Sequence, residues 1–172
     1  TVKSRFTLGI RIPGWTGGAP VEGNLYSYIT PAKGKVGIKV NGKKFKAPIA
    51  DGFAHVDREW KKGDIVEIFL PMEPRFIKAR KEVEADSGRV AIGVGPIVYC
   101  LEQADNGPVR EVTADTSVKP VFAFEQQLLG GVGTLKFPVA EPDGQTREAK
   151  AVPYYSWANR GRGEMTVWIR TT

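Results

Sequence analysis

The run GIKVNGKKF, residues 37–45, decides the fold class of this 172-residue chain. Two short β-like runs flank the dipeptide Asn41-Gly42, which favours a type I′ turn because both central residues of that turn need positive φ. The run is therefore predicted to be an antiparallel β-hairpin. Lysines at its outward positions would guard an edge strand against aggregation; they are Lys39, Lys43, Lys44 and Lys46.

Short strand candidates continue upstream and downstream of this hairpin. FTLGIRI (6–12) precedes it, and FAHVDREW (53–60) follows it. The turn KKGD (61–64) then leads into IVEIFLPM (65–72), whose continuous apolar character predicts a strand buried on both faces.

The second part of the chain repeats this pattern after a polar segment, KEVEADSGR (81–89), which predicts a boundary between two β units. RVAIGVGPIVYCLE (89–102), EVTADTSVKPVFAFE (111–125) and TLKFPVAEP (134–142) supply further strand candidates. About eleven to fourteen strands at roughly 8–12-residue spacing, with no convincing amphipathic helix, are typical of sandwiches or barrels. The chain is therefore predicted to be all-β.

Composition argues against several classes of site. One cysteine and one histidine, Cys100 and His55, are too few for a zinc or iron–sulfur site or for an internal disulfide. No run of 18 or more apolar residues is present, so no membrane span is predicted. The chain begins without Met, directly in a strand-like run, as a segment of a larger protein would.

The net charge of +6 is concentrated in the first part of the chain. Residues 1–82 hold 16 Lys and Arg against 8 Asp and Glu, whereas residues 83–172 hold 9 against 11. The basic run 35–48 lacks clustered aromatic residues, which makes a nucleic-acid-binding β domain the weaker alternative. No nucleic-acid partner is predicted.

Two carboxylates, Asp57 and Glu59, lie two apart on one predicted strand and would project from the same face. Glycoside hydrolysis needs one such carboxyl group protonated, but Arg58, Lys61 and Lys62 surround the pair and favour two ionised groups. The pair is therefore not predicted to be catalytic.

Neither the cysteine nor the glycine-rich runs predict a reactive site. Cys100 lies in the apolar run IVYCLE and the single histidine lies in the other half of the chain, so a buried structural thiol is predicted. GVGPIV (93–98) and LGGVGT (129–134) lack the strand, glycine loop and helix order of a phosphate-binding motif. They are predicted to be bulges and turns.

The run VPYYSWANRGRGEMTVWI (152–169) contains three candidate contact residues. Its NRGRG segment is predicted to be a hairpin loop of about five residues, with Arg160 and Glu164 paired across the loop mouth. The alternative is an exposed recognition loop that presents Trp157, Arg160 and Arg162 to a ligand.

A fourth candidate contact is Trp15, which follows the turn Pro13-Gly14. Most large aromatic residues of a β domain lie in its core, but a tryptophan between turns is the one most expected at the surface. The predicted contacts with another domain or with a glycan are Trp15, Arg160, Arg162 and Glu164.

A succession of segments resembles one family: FTLGIRIPGW, VNGKKF, DGFAHVDREWKKGDIVEIFLPMEPRF, VEADSGRVAIGVGPIVYCLE and PYYSWANRGRGEMTVWI. In this order, and over essentially the whole chain, they are similar to the C-terminal region of the β-L-arabinofuranosidase-type glycoside hydrolases, glycoside hydrolase family 127 and its relatives. The resemblance implies two consecutive antiparallel, jelly-roll-like β-sandwich units, residues 1–80 and 81–172. The first would lack strands that upstream chain supplies, and the last strand of the second would return to the first.

In that family the catalytic part is an N-terminal (α/α)6 barrel with an acid/base glutamate, a nucleophilic cysteine and a zinc ion held by cysteines and a glutamate. None of those motifs has a match here. No catalytic, cofactor-binding or metal-binding residue is therefore predicted, and zinc is expected only in the absent catalytic barrel.

The resemblance implies a non-catalytic module that buttresses the catalytic barrel of the same polypeptide, whose parent would be a glycosidase. The alternative is an independent carbohydrate-binding module that holds a plant-type, arabinose-containing glycan by aromatic stacking. Enzymes of this kind are often periplasmic or secreted, and the sequence carries no other indication of compartment.

Overall fold

The computed structural model describes residues 3–171. It confirms the all-β prediction, since strands dominate these residues and the one α-helix, α1 (Gln103–Asn106), spans a single turn. None of the helical segments in this range is long and apolar enough to cross a membrane. The strands are β1 (Ser4–Arg11), β2 (Tyr26–Tyr28), β3 (Gly37–Val40), β4 (Lys43–Lys44), β5 (Ile49–Ala50), β6 (Phe53–Trp60), β7 (Val66–Phe69), β8 (Pro74–Ala79), β9 (Arg89–Val94), β10 (Ile97–Glu102), β11 (Thr113–Ala114), β12 (Val121–Glu125), β13 (Val132–Ala140), β14 (Thr146–Pro153), β15 (Met165–Thr166) and β16 (Ile169–Thr171).

The N-terminal half is an open sandwich of two three-stranded sheets, with strand orders β1-β6-β5 and β4-β3-β7. The predicted hairpin is confirmed, because β3 and β4 pair around Asn41 and Gly42, whose φ angles are 52° and 76°. The core between the two sheets consists of buried side chains from β3 and β6, namely Ile38, Val40, Ala54, Val56 and Trp60.

The C-terminal half is a closed barrel of six strands in the order β9-β10-β14-β13-β11-β16, with β16 pairing back onto β9. The barrel is mixed, because β11 and β16 run parallel. In β13, alternate residues Leu135, Phe137 and Val139 are almost completely buried, so period-two alternation fills the interior. Outside this ring, β8 and then β2 extend the sheet beyond β9, and β12 extends it beside β13.

The expected pair of sandwiches needs correction, because the described strands form one open sandwich and one closed barrel. Strands β2 and β8 precede residue 81 yet belong to the sheet of the barrel, and the last strand, β16, lies between β9 and β11. Closure depends on pairing between strands that are distant in sequence, such as Thr113 with Arg170. Alternation within single strands predicts that a face is buried but does not predict which strands pair.

The prediction that IVEIFLPM is buried on both faces was wrong. Its strand, β7, is an edge strand that pairs only with β3 among the described residues. Ile65 and Phe69 are each 62% exposed, and Ile68 is 40% exposed. The apolar run therefore contributes surface in this chain instead of core.

Candidate functional site

The segment between β14 and β15, residues 154–164, is here called the arginine loop. It is not the predicted hairpin, because β14 and β15 both pair with β10 and do not pair with each other. A 3-10 turn at Tyr154–Ser156 opens the loop, and positive φ angles at Ala158 (64°) and Gly161 (109°) reverse the chain. The loop therefore crosses the end of β10.

Arg160 anchors this loop to the barrel. Its guanidinium forms ion pairs with the carboxylates of Glu102, at the end of β10, and Asp105, in α1. The backbone N–H of Ala158 donates to Glu102 Oε1 at 2.9 Å, and Glu102 is only 5% exposed. The predicted pairing of Arg160 with Glu164 was wrong, because Glu164 instead pairs with Arg110 at 3.2 Å.

The ion pairs continue from Asp105 into the sheet. Lys150 Nζ lies 2.8 Å from Asp105 Oδ1 and 3.3 Å from Glu125 Oε2, and Thr134 Oγ1 donates to Glu125 Oε1 at 2.9 Å. Burial raises the pKa of Asp105, but its contacts with Arg160 and Lys150 outweigh burial and hold that pKa below its ordinary value. The same carboxylate, together with Glu102, raises the pKa of Arg160. Each charged group in this network has an oppositely charged partner, and the network positions the loop.

A cavity of about 330 Å³ lies beside the arginine loop. Arg162, Glu164 and Trp157 line it, and Gln103 closes one side by accepting the N–H of Glu164 at 2.9 Å. Trp157 is 41% exposed and stacks on Tyr154 with ring centroids 5.9 Å apart. The structure thus brings Arg162 and Glu164 to one cavity, while Arg160 holds the loop in place from below the surface.

Trp15 lies outside the arginine loop, in the N-terminal half of the chain. It is half-buried in the 3-10 turn Gly14–Thr16, and its carbonyl accepts a hydrogen bond of 2.6 Å from Arg75 Nη2. Arg75 is 3% exposed and its guanidinium lies 3.4 Å from the centroid of the Tyr28 ring. Sequence reasoning missed Arg75, because an arginine that alternates with apolar residues in a strand usually points to solvent.

The residues considered from the sequence as candidates for catalysis or metal binding make structural contacts instead. Asp57 pairs with Arg5 at 2.9 Å and Glu59 pairs with Lys3 at 2.8 Å on the exposed face of the sandwich. Cys100 is 1% exposed, as predicted for a structural thiol, and burial raises its pKa to about 12. Within residues 3–171, no three His, Cys, Asp or Glu side chains form a group that could hold a metal ion.

A second cavity, of about 710 Å³, opens at the edge of the N-terminal sandwich. Its apolar lining includes Phe45, Ile49, Ile68 and Phe69. Because Ile68 and Phe69 belong to β7 and are exposed, this cavity opens beside the exposed apolar side chains of that strand. Sequence reasoning missed this surface because it assigned the same apolar run to the core.

Both halves of the chain match models of one family. Residues 1–72 match the β-L-arabinofuranosidase, GH127 middle domain, and residues 74–170 match the glycoside hydrolase family 127 C-terminal domain. The chain belongs to glycoside hydrolase family 127. This family 127 chain is 35% identical to the non-reducing end β-L-arabinofuranosidase of Bifidobacterium longum subsp. longum, over 97% of the chain and 26% of that protein.

Solved structures agree with this assignment. A GH127 β-arabinofuranosidase superposes with a TM-score of 0.85 and 37% identity, over 100% of this chain and 28% of that one. A GH127 β-L-arabinofuranosidase from Geobacillus stearothermophilus T6 superposes with a TM-score of 0.81 and 34% identity, over 99% of this chain and 27% of that one. The chain thus corresponds to the β-rich middle and C-terminal domains of these enzymes and spans about a quarter of their length.

Proposed function

We propose that this family 127 chain is the non-catalytic β region of a longer glycoside hydrolase and buttresses a catalytic (α/α)6 barrel of the same polypeptide. The parent enzyme acts on arabinofuranose-containing glycans. The names of the relatives support this substrate class, and the family's catalytic and zinc-ligand motifs have no match in this sequence.

One observation carries the proposal: the N-terminal sandwich exposes several large apolar side chains at and beside its edge strand β7. Ile65, Ile68 and Phe69 are 40–62% exposed, and the 710 Å³ cavity opens beside Ile68 and Phe69. Large exposed apolar patches mark protein interaction sites. About three quarters of each relative lies outside the matched segment, so a parent of similar length would contain a neighbour large enough to cover this surface.

The test compares the parent polypeptide with a truncated form that lacks this segment. We expect the isolated chain not to hydrolyse an aryl β-L-arabinofuranoside, and the truncated parent to unfold at a lower temperature or to be insoluble. Hydrolysis by the isolated chain would contradict the proposal. A truncated parent with unchanged Tm and unchanged kcat/KM would contradict it as well.

A carbohydrate-binding role is the second candidate, and the stacked pair Trp157 and Tyr154 beside the 330 Å³ cavity favours it. Exposed aromatic faces stack on sugar rings, because both surfaces are flat and apolar. Titration calorimetry of the isolated chain with arabino-oligosaccharides at millimolar concentration tests this role. Saturable heat that disappears in Trp157→Ala would support sugar binding, and the absence of heat would exclude it as the main function.

A further inference from the structure

The C-terminal half presents a second apolar surface, formed by Phe122 and Phe124 of β12 and here called the aromatic platform. These side chains are 51% and 61% exposed. They point to the same face, because they lie two residues apart on one strand. The ring of Phe122 lies over Gly133, the residue directly opposite Phe124. Two large aromatic side chains therefore share one face outside the barrel core.

Glycines form the floor of the aromatic platform. A Cβ atom at Gly133 would lie 2.6 Å from the ring of Phe122, and one at Gly131 would lie 2.8 Å from the ring of Phe124. Both distances are shorter than real Cβ contacts, so only glycine lets the two rings rest directly over the backbone of β13. The turn predicted for LGGVGT is present at residues 129–131, where φ is positive, and packing of the two rings adds a second reason for Gly131 and Gly133.

The aromatic platform lies on the face of the sheet that points into the barrel, but on a strand outside the ring of six barrel strands. Phe122 is directly opposite Leu135, a fully buried core residue, and directly opposite residues of an antiparallel pair point to the same face. Strand β12 pairs only with β13 among residues 3–171, so the described strands leave this extension of the face uncovered.

The chemistry of the platform favours a protein surface over a sugar. Sugar sites combine aromatic faces with free polar groups that bind hydroxyls. Phe122 and Phe124 carry no polar atom, and the charged end of β12, Glu125, is already held by Lys150 and Thr134. Rigid, preformed aromatic side chains are the usual anchors of protein interfaces.

We propose that the aromatic platform docks against the catalytic part of the same polypeptide, an inference that rests on the proposed function. About three quarters of each relative's length lies outside the segment matched by this chain. In a parent of similar length, that region would be covalently linked to the platform in every copy of the protein. Docking buries both phenylalanine rings at the centre of the contact.

Thiol labelling of Phe124→Cys tests this docking face, with rates measured by peptide mass spectrometry in the isolated chain and in the full-length parent. Glu148→Cys is the matched control, because Glu148 is exposed on β14 and pairs only across the outer wall with Lys136. Cys100 is buried, so its lack of labelling verifies in each sample that the barrel is folded.

We expect position 124 to be labelled at least tenfold more slowly in the parent than in the isolated chain, and position 148 to be labelled equally in both. Equal rates at position 124 in a parent whose Tm still depends on this segment would overturn the docking face and leave the proposed function standing. Protection of position 124 in the isolated chain by arabino-oligosaccharide would overturn it in favour of a glycan ligand.

Discussion

The two halves of this chain differ in how their sheets end: one closes into a barrel and the other remains open. The C-terminal half closes six strands into a barrel, so most of its backbone pairing is internal and its core includes the fully buried Leu135 and Phe137. The N-terminal half leaves four edge strands, each with one partner among the described strands: β1, β5, β4 and β7. A closed barrel is expected to be stable by itself, whereas the stability of an open sandwich with exposed apolar residues is expected to depend on a neighbouring domain.

The difference also extends to charged side chains. Around the barrel, Arg160, Asp105 and Lys150 form a partly buried network that fixes the arginine loop. On the sandwich, Asp57 and Glu59 make exposed pairs that water screens. Charge therefore fixes a loop on the barrel, whereas these two pairs on the sandwich contribute chiefly to solubility.

The largest expected effect is on the barrel core. Phe137→Ala in the isolated chain is predicted to lower the free energy of unfolding by about 3–5 kcal/mol, because it removes a buried ring and leaves a cavity. Phe122→Ala makes the same chemical change on the half-exposed platform and is expected to cost under about 1 kcal/mol. Urea unfolding followed by far-ultraviolet circular dichroism measures the free energy of unfolding of both variants. Equal losses would contradict the assignment of Phe137 to the core and Phe122 to the surface.

The arginine loop gives the next largest effect. Arg160→Met leaves Glu102 without its cation and Asp105 with Lys150 alone. It is predicted to cost about 3 kcal/mol, at the low end for a broken buried pair, because the Arg160 side chain is 19% exposed. Arg162→Met is the matched control, since Arg162 is exposed, and is expected to change stability by less than about 0.5 kcal/mol. Similar losses in both variants, measured by urea unfolding, would mean that Arg160 does not anchor the loop.

The network also predicts a pH dependence. The pKa of Asp105 is lower in the folded chain than its ordinary value near 3.9, so its contribution to stability is present above that value and is lost as pH falls through the lower folded pKa. Asp105→Asn is expected to flatten the decline of Tm below about pH 4. A decline as steep as that of the unmodified chain would show that other carboxylates are responsible.

The smallest effect is expected at the open edge of the sandwich. Phe69→Ser in the isolated chain is predicted to change the free energy of unfolding by less than about 0.5 kcal/mol, because Phe69 is 62% exposed. The same variant is expected to reduce self-association in sedimentation velocity, since it removes exposed apolar surface. A large loss of stability would show that β7 is core even without the rest of the polypeptide.

The sequence predicts most of the local structure. Asn41-Gly42 correctly predicts the hairpin, β6 coincides with FAHVDREW, and the apolar surroundings of Cys100 correctly predict a buried thiol. Each of these depends on residues close together in the chain, where turn geometry and alternation act directly.

The sequence does not predict features set by contacts between distant residues. Closure of the barrel requires the parallel pairing of β11 with β16. Arg160 pairs with Glu102 instead of Glu164 because the end of β10 lies beneath the arginine loop. The burial predicted for β7 fails for a related reason: hydrophobicity shows that a strand requires cover but not which part of a polypeptide supplies it. The domain division near residue 80 and the roles of Trp15, Arg160, Arg162 and Glu164 in contacts with another domain or a glycan stay predictions.

The central claim is that this chain functions as part of a longer polypeptide, and the size of the native gene product tests it most directly. An immunoblot of source-cell extract with an antibody against this chain is predicted to show a band three to four times larger than 18.8 kDa, since the chain spans 26–28% of its relatives. A single band at 18.8 kDa would contradict the account, because the exposed surfaces of β7 and of the aromatic platform would then have no covalently linked catalytic partner.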